Sequence, residues 1–385
     1  MKCQKDQFNL SPSVHYINCA TRGPFSKKVE AAGYQAIQNL TPLIHTLTPT
    51  DFFEPVWEVR ALFARLLNTS ATGRIAVIPS VSYAMSVVAC NLPAKAGLRA
   101  GQKILLLEGE FPSDVYAWER VARQENLSIQ TVAMPDTKQC GADWNTAILE
   151  AITPETALVV CPHVHWMYGF LFDLQEISRK AKAVGAWLVV DTTQSVGALP
   201  FDVEKIQPDM VVSAGYKWLM GPYSLGLAYF GEVFDGGIPL EETWMARQDS
   251  HLFHKLTDYQ AHYQPEAFRY NMGEQSNFTQ MPMLKVALEQ ILDWNPAEIQ
   301  AYCRTLFREA IPVLEQAGFW LEPEEFRAAH LLGLRLPEHV NPMDLHKKLV
   351  NQQVYVSVRG SGLRISPNVY NDAADVQALV RALLD

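Results

Sequence analysis

Two side chains with complementary chemistry follow neighbouring apolar runs in the middle of the chain. Asp191 ends the run AWLVVD, and Lys217 follows the next run, PDMVVSAGY. A lysine amine can form an imine with the aldehyde of pyridoxal phosphate, and a carboxylate can pair with the protonated pyridine nitrogen so that the ring accepts electrons. Gln194 adds an amide close to Asp191. The spacing therefore predicts a pyridoxal-phosphate site with the imine on Lys217.

Polar or aromatic side chains also follow three other apolar runs. Ser80, Val81 and Ser82 come after RIAVIP and begin a predicted helix, whose free N–H groups and dipole would suit a phosphate. Residues 110–112 follow KILLLEG, and residues 163–166 follow ALVVCP. Because ligands bind outside the carboxyl ends of the strands in open α/β sheets, we expect all five segments to meet at one edge of a sheet.

Short apolar runs alternate with helical segments in the first two thirds of the chain. The runs are rich in β-branched and aliphatic residues, which is typical of strands buried on both faces; they cover residues 74–80, 103–110, 157–166, 186–193, 208–215 and 225–231. Helices are predicted between them at residues 82–92, 113–124 and 174–184. This alternation predicts an α/β fold with a mainly parallel sheet.

The pattern changes after residue 280. Helices are predicted at residues 281–294, 297–318, 341–353 and 371–385, and strands at residues 330–337 and 354–360. The length of 385 residues favours more than one domain. We therefore expect an N-terminal segment (1–25) that packs on the small domain, a large cofactor-binding domain (26–280) and a small α+β C-terminal domain (281–385).

Composition excludes several classes of protein. The net charge of −9 at pH 7, without a stripe of Lys or Arg, argues against nucleic-acid binding. No apolar stretch approaches the roughly 20 residues of a membrane helix, and the N-terminus lacks the hydrophobic block of a secretory signal. The six scattered cysteines predict free thiols in a reducing cytoplasm.

Five motifs, in order along the chain, resemble those of the class V aminotransferase family of pyridoxal-phosphate enzymes. That family includes cysteine desulfurases, kynureninases and isopenicillin-N-epimerase-like proteins. The motifs are HYINCATRGPF, EFPSDVYAW, DTTQSVGALPFDV, GYKWLMGP and GLRISPNVYND. The resemblance implies the pyridoxal-phosphate transferase fold of type I and a transferase or lyase that acts on an amino acid. It also implies a homodimer with the site at the subunit interface.

The resemblance also assigns roles to individual residues. Lys217 would carry the cofactor as a Schiff base and later move the proton at the substrate carbon. Asp191 would pair with the pyridine nitrogen and Gln194 with the ring hydroxyl. Arg364 would bind the substrate α-carboxylate with its planar fork. Further cofactor contacts are implied for Val81, Ser82, Phe111 and Tyr216 and, towards the neighbouring subunit's phosphate, for Trp244, Gly273, Gln275 and Ser276.

Two features separate the chain from the cysteine desulfurases. Those enzymes carry a nucleophilic cysteine shortly before the carboxylate-binding arginine, whereas no cysteine lies between Arg359 and Arg364. Trp166 stands where desulfurases have an asparagine, and relatives with a tryptophan there include a cystine C–S lyase. The resemblance thus implies a class V aminotransferase-like enzyme, with a cysteine or selenocysteine C–S lyase or an amino-acid epimerase as the alternatives. The reaction outcome (transamination, C–S elimination, epimerisation or hydrolysis) stays open. A non-catalytic protein that keeps the fold is the alternative from another class, and the presence of Lys217, Asp191 and Arg364 together argues against it.

Several of these residues also have plainer interpretations. Asp191 alone could cap a helix, and Arg364 alone could form an ordinary ion pair. His163 and His165 could be metal ligands, but no third ligand accompanies them, so we expect no metal site. We interpret His163 as a structural or substrate-pocket histidine and Trp166 as a substrate-binding residue, although a strand-end aromatic can also belong to the core.

Overall fold

The computed structural model describes residues 1–385 and contains a large and a small β-sheet. The helices are α1 (Lys27–Leu40), α2 (Glu54–Leu66), α3 (Val81–Asn91), α4 (Tyr116–Glu125), α5 (Cys140–Ala151), α6 (Leu174–Ala183), α7 (Val203–Ile206), α8 (Gln280–Trp294), α9 (Pro296–Phe307), α10 (Ala310–Gln316), α11 (Pro342–Asn351) and α12 (Ala373–Leu384). The strands are β1 (His15–Tyr16), β2 (Ile75–Ile78), β3 (Lys103–Leu107), β4 (Ser128–Val132), β5 (Thr156–Pro162), β6 (Trp187–Asp191), β7 (Met210–Ala214), β8 (Gly226–Phe230), β9 (Leu332–Arg335), β10 (Val354–Tyr355), β11 (Ser357–Arg359) and β12 (Gly362–Ile365). No helix is long and apolar enough to cross a membrane.

The large sheet has seven strands in the order β2-β8-β7-β6-β5-β3-β4. Strand β8 is antiparallel to β2 and β7, and the pairs from β7 to β4 are parallel. The predicted α/β fold is confirmed, and all six predicted strands of this region are present. The seventh, β4, was not predicted because it is an edge strand whose side chains are mostly exposed or half-buried, so it lacks an apolar run.

Helices cover both faces of this sheet because successive side chains of each strand point in opposite directions. In β3, Leu105 and Leu107 join one hydrophobic cluster together with α2, α5, α6 and α8. Ile104 and Leu106 join the cluster on the other face, with α3 and α4. Burial of both faces explains why these strands read as continuous apolar runs. It also sets the height of every strand end relative to its neighbours.

The C-terminal region forms a three-stranded antiparallel sheet in the order β11-β12-β9. The single helix predicted for residues 297–318 is wrong, since α9 and α10 are separate helices. Pro312 lies in the first turn of α10, where a backbone N–H would have no intrahelical partner, so that a residue without one is tolerated. In the middle of a continuous helix the proline ring would clash with the preceding turn. The strand predicted for residues 354–360 is likewise divided into β10 and β11.

The predicted domain boundaries stay predictions, and two contacts bear on them. Strand β1 pairs in parallel with β10, which attaches the N-terminal segment to the C-terminal region. Helix α8, which follows the boundary predicted at residue 280, packs on α1 and α2 and contributes to the core of the large sheet.

Candidate active site

A cavity of about 370 Å³ lies at the carboxyl edge of the large sheet. Because β2, β6 and β7 run in the same direction, their C-terminal ends converge there, and the antiparallel β8 begins at the same edge. The parallel strands β3 and β5 end at this edge as well. The lining residues lie at the ends of β6 and β7, in the segments that follow β2, β3, β5, β6 and β7, or just before β8: Pro79, Ser80, Val81, Ser82, Phe111, Ser113, Trp166, Asp191, Thr193, Gln194, Ala214, Tyr216, Lys217, Tyr223, Ser224 and Leu225. The edge therefore gathers most of the side chains that the sequence predicted to act together.

The amine of Lys217 lies inside this cavity. Its Nζ is 5.5 Å from the ring centroid of Phe111 and 5.8 Å from that of Tyr216. Burial lowers the pKa of the amine to about 8, although Asp191 acts in the opposite direction, because an ammonium ion loses hydration energy out of water. A larger share of the amine is therefore unprotonated near neutral pH than for a surface lysine, which is the form that can attack a carbonyl.

The N-terminal segment holds the backbone of the Lys217 turn in place. The N–H of Gly23 donates to the carbonyl of Tyr216 at 2.9 Å. A Cβ atom at Gly23 would lie 2.2 Å from the carbonyl oxygen of Lys217, so the chain can approach this closely only without a side chain. The glycine in the first of the five sequence motifs thus has a direct packing reason.

Three carboxyl groups cluster on one side of Lys217. Asp191 accepts a hydrogen bond from the N–H of Thr193 at 2.7 Å. Asp114 is 1 % exposed, and neither its oxygens nor Oε1 of Glu110 receive a hydrogen from any donor. Burial and then the charge of Asp191 raise the pKa of both Glu110 and Asp114 well above the usual range. A protonated Asp114 can donate to the neighbouring Asp191 carboxylate.

No sequence pattern indicated the part that Asp114 plays in this cluster. Asp114 ends a single turn of 3-10 helix that begins at Pro112, and an aspartate before a helix is ordinarily a cap. Here it lies one residue before the N-cap of α4 and makes no capping bond. The raised pKa and the absent donor are properties of burial, so no spacing rule could have revealed them.

Gln194 is buried and held by contacts on three sides. The indole N–H of Trp218 donates to its Oε1 at 2.8 Å, and its Nε2 donates to the carbonyl of Ala20 at 3.2 Å. Nε2 of His330 contacts the Gln194 carbonyl at 2.7 Å, and burial lowers the pKa of His330 to about 4. A neutral imidazole that donates from Nε2 satisfies this geometry. The amide of Gln194 thereby keeps one N–H free.

The N-terminus of α3 also lines the cavity. Ser80 is the N-cap and accepts from the N–H of Tyr83 at 3.2 Å, and its hydroxyl lies 2.9 Å from that of Ser82. The first N–H groups of a helix, here those of Val81 and Ser82, have no intrahelical partner. Tyr216 lines the same cavity. This arrangement suits an anion such as a phosphate.

Arg364 approaches the cavity from the small sheet. It is 1 % exposed and donates to the carbonyl of Trp166 at 2.9 Å and to the hydroxyl of Thr21 at 2.7 Å. Burial, followed by the charge of Arg359, lowers the pKa of its guanidinium to about 9. Trp166 in turn meets the ring of Phe111 edge-on, with centroids 5.4 Å apart. Both aromatic rings line the cavity together with Lys217.

Six of the predicted residues do not line this cavity. Arg364 contacts it only through the carbonyl of Trp166, a lining residue, and the other five lie elsewhere. His163 is buried against Phe201, with ring centroids 5.4 Å apart, and burial lowers its pKa to about 3, so the structure does not bring it to the substrate side. Trp244 lines a different cavity. The remaining three belong to one loop: Gly273, Gln275 and Ser276. Their predicted contact with a neighbouring subunit stays a prediction.

Comparisons with known proteins agree with the fold. The model of the "Aminotransferase class-V" family matches residues 37–384. The isopenicillin N epimerase of Amycolatopsis lactamdurans is 26% identical over 98% of this chain and 96% of its own. The apo structure of a cysteine desulfurase from Thermococcus onnurineus NA1 superposes with a TM-score of 0.84, at 20% identity, over 100% of this chain and 98% of that chain. A mutant of the protein C-DES, with glycine covalently linked to its pyridoxal-phosphate cofactor, superposes with a TM-score of 0.82, at 19% identity, over 99% of both chains.

Proposed function

Because the chain belongs to the aminotransferase class-V family of pyridoxal-phosphate-dependent enzymes, we propose that it removes the α-proton of an amino acid through the amine of Lys217. The observation that carries this proposal is the position of that amine, which lines the cavity together with Asp191 and whose pKa burial lowers to about 8. A buried amine with this pKa suits proton transfer near neutral pH.

The residues around the cavity fit pyridoxal phosphate at both of its charged ends. The unpaired N–H groups of α3 at Val81 and Ser82 suit its phosphate. The carboxylate of Asp191 suits the protonated ring nitrogen of the cofactor, since an ionised carboxylate only accepts hydrogen bonds. Asp114, whose oxygens receive no hydrogen bond from any other group, would donate a hydrogen bond to that carboxylate. When bound, the cofactor supplies an electron sink that stabilises negative charge at the α-carbon of the substrate.

The chain's own residues would divide the remaining work. Arg364 orients the substrate by two parallel bonds to its α-carboxylate, and the N–H left free on Gln194 can donate to a ring hydroxyl. Phe111 and Trp166 line the cavity beside the amine of Lys217 and limit the water around it, so that the amine can carry a proton to and from the α-carbon.

A persulfide-forming reaction of the desulfurase kind is disfavoured by the cysteines. None of the residues that line the cavity is a cysteine. The thiol of Cys19 lies close to the Lys217 turn, but it faces the Lys217 carbonyl and the Asn368 amide in the core. Burial raises its pKa to about 12, so it stays protonated and is a poor nucleophile. Cys303 is equally buried, within α9.

Epimerisation, transamination and C–S elimination share the α-proton step and differ in the step after it. A panel of L- and D-amino acids with product analysis separates an inverted stereocentre, a keto acid, and pyruvate with sulfide. Removal of the α-proton is followed either as its exchange for deuterium from heavy water or as formation of one of these products. Holoenzyme that neither exchanges an α-proton nor forms any of the products with any member of the panel would contradict the proposal.

We also propose a homodimer that covers an apolar face of α1. Tyr34, Ile37 and Leu40 lie on one side of this helix and are 68%, 61% and 49% exposed, and Leu43 and Ile44 continue the patch. A contiguous exposed apolar patch of this kind marks an interface. Light scattering should give twice the chain mass, and Ile37→Glu should shift the protein towards the monomer. A wild-type monomer at micromolar concentration would rule this assembly out.

A further inference from the structure

Arg359 and Arg364 project from the same face of the β11–β12 hairpin. In this antiparallel pair Arg359 lies opposite Gly362, and Arg364 lies opposite Ser357. Opposite residues share a face, as do residues two positions apart along a strand. The two arginines are therefore diagonal neighbours, whose Cβ atoms are roughly 7–8 Å apart in such ladders. Gly362 has no side chain, which leaves space beside Arg359.

Both guanidinium groups contact Trp166, a residue of the cavity wall. Arg364 donates to its carbonyl at 2.9 Å, and the guanidinium carbon of Arg359 lies 5.5 Å from the centroid of its ring. Both positive charges act on Lys217: burial lowers the pKa of that amine first, and Arg364 and Arg359 lower it further. Arg359 is thus part of the electrostatic surroundings of the cavity.

Neither arginine has a carboxylate partner. No salt bridge of the protein includes either of them, and Nε of each is buried without an acceptor. Arg335 of the neighbouring strand β9 differs, since it lies over the ring of Trp320 at 4.2 Å and near Glu322. Burial raises the pKa of Glu322, and the charge of Arg335 acts against that rise. Two like charges away from water without a counter-ion cost free energy.

We propose that Arg359 binds a second negatively charged group of the substrate, so that the preferred substrates are amino acids with an acidic side chain. The inference rests on the proposed function, in which Arg364 takes the α-carboxylate. A planar guanidinium meets a carboxylate with two charge-assisted bonds. Arg359 is half-buried whereas Arg364 is fully buried, which places the α-carboxylate common to all amino acids deeper than the side-chain group.

Isosteric pairs of amino acids test the inference. Glutamate and glutamine, each as L- and D-isomer, have the same shape and differ in one negative charge. For wild-type holoenzyme we expect kcat/KM, followed as α-proton exchange, to favour glutamate by about tenfold or more, the factor that one charge-assisted bond supplies. Arg359→Gln should abolish this preference, and Arg359→Lys should keep part of it.

A second measurement does not depend on turnover. Glutarate should raise the unfolding temperature of the wild-type holoenzyme more than the monocarboxylate glutaramate does, because a ligand stabilises the state that it binds. Arg359→Gln should remove the difference between the two ligands. Arg335→Gln is the matched control, since it removes an arginine of the same sheet that also lies over a tryptophan, and it should leave both preferences unchanged.

The outcomes separate the inference from the proposed function. Turnover of neutral amino acids without a preference for acidic ones would overturn the inference and leave the proposed function standing. So would a glutamate preference that survives Arg359→Gln. If no amino acid at all exchanges its α-proton or forms any of the products, both fail together.

Discussion

Ionisable groups of two opposite kinds act on the Lys217 amine, and of these groups only Asp191 lines the cavity itself. The two kinds do not pair. The acids Glu110, Asp114 and Asp191 crowd together, and the pKa values of the first two are raised by burial. The arginines Arg359 and Arg364 lie near each other, and burial lowers both of their pKa values. The acidic groups and the arginines form no salt bridge with each other.

A charged cluster elsewhere in the protein shows what a structural arrangement looks like. Asp375 is buried in the last helix and is contacted by Lys5 at 3.2 Å and by His15 at 2.7 Å, so that the N-terminal segment is attached to α12. There the opposite charges meet directly. Near Lys217 the acids and the arginines stay apart, which is the arrangement expected where a ligand provides the counter-charges: a protonated ring nitrogen for the acids and carboxylates for the arginines.

The largest effect on activity should come from replacing Lys217, on whose amine both kinds of charge act. Lys217→Ala removes the group proposed to move the α-proton, and we expect α-proton exchange to fall by about a thousandfold or more, within the range for a general base. The measurement is the exchange rate together with circular dichroism to confirm folding. Lys205→Ala, which alters a surface lysine paired with Asp202, is the control. Exchange within tenfold of wild type in Lys217→Ala would refute the assignment.

Replacing aspartate by asparagine should lower kcat much more at Asp191 than at Asp114. Asp191→Asn removes the charge proposed to pair with the ring nitrogen, and we expect kcat to fall by about a hundredfold, since that charge favours the protonated ring. Asp114→Asn should change kcat by less than about tenfold, because a protonated carboxyl and an amide both donate a hydrogen bond. Equal losses in the two variants would show that Asp114 is ionised.

Replacing Arg364 should change KM more than kcat. Arg364→Lys keeps the positive charge but loses the planar fork, so we expect KM for the amino acid to rise by about tenfold with a smaller change in kcat. Steady-state kinetics with one amino acid at several concentrations measure both. A fall in kcat at unchanged KM would mean that Arg364 acts on the reacting atoms instead of on the carboxylate.

The smallest effect concerns stability and pH. Burial lowers the pKa of Lys217 from 10.5 to about 8 in the folded protein, so between these values the unfolded chain binds more protons and the free energy of unfolding rises with pH. The charge on the buried amine destabilises the folded protein fully below pH 8, and this destabilisation decreases as the pH rises above 8. In cofactor-free protein, Lys217→Met should therefore be more stable than wild type at pH 7, by a margin that shrinks towards pH 10. A margin independent of pH would contradict the lowered pKa.

Much of this cavity could be predicted from the order of residues. The apolar runs that become β6 and β7 end at Asp191 and shortly before Lys217, and parallel strands bring their ends to one edge. The same argument placed Val81 and Phe111 near them. It did not bring His163 into the cavity. This residue follows β5, but the alternation of the strand turns its ring to the face of Val159 and Cys161, where it packs against Phe201.

The sequence by itself determined six of the seven strands of the large sheet and the meeting of Lys217 with Asp191, since these depend on local periodicity and on the direction of strands. Its five motifs determined the family resemblance. Only the tertiary structure decided which charges remain without partners. Asp114 looks like a helix cap and Arg359 like a surface arginine until the fold removes water from both. Desolvation depends on every element that packs around a group, and for that reason no short motif encodes it.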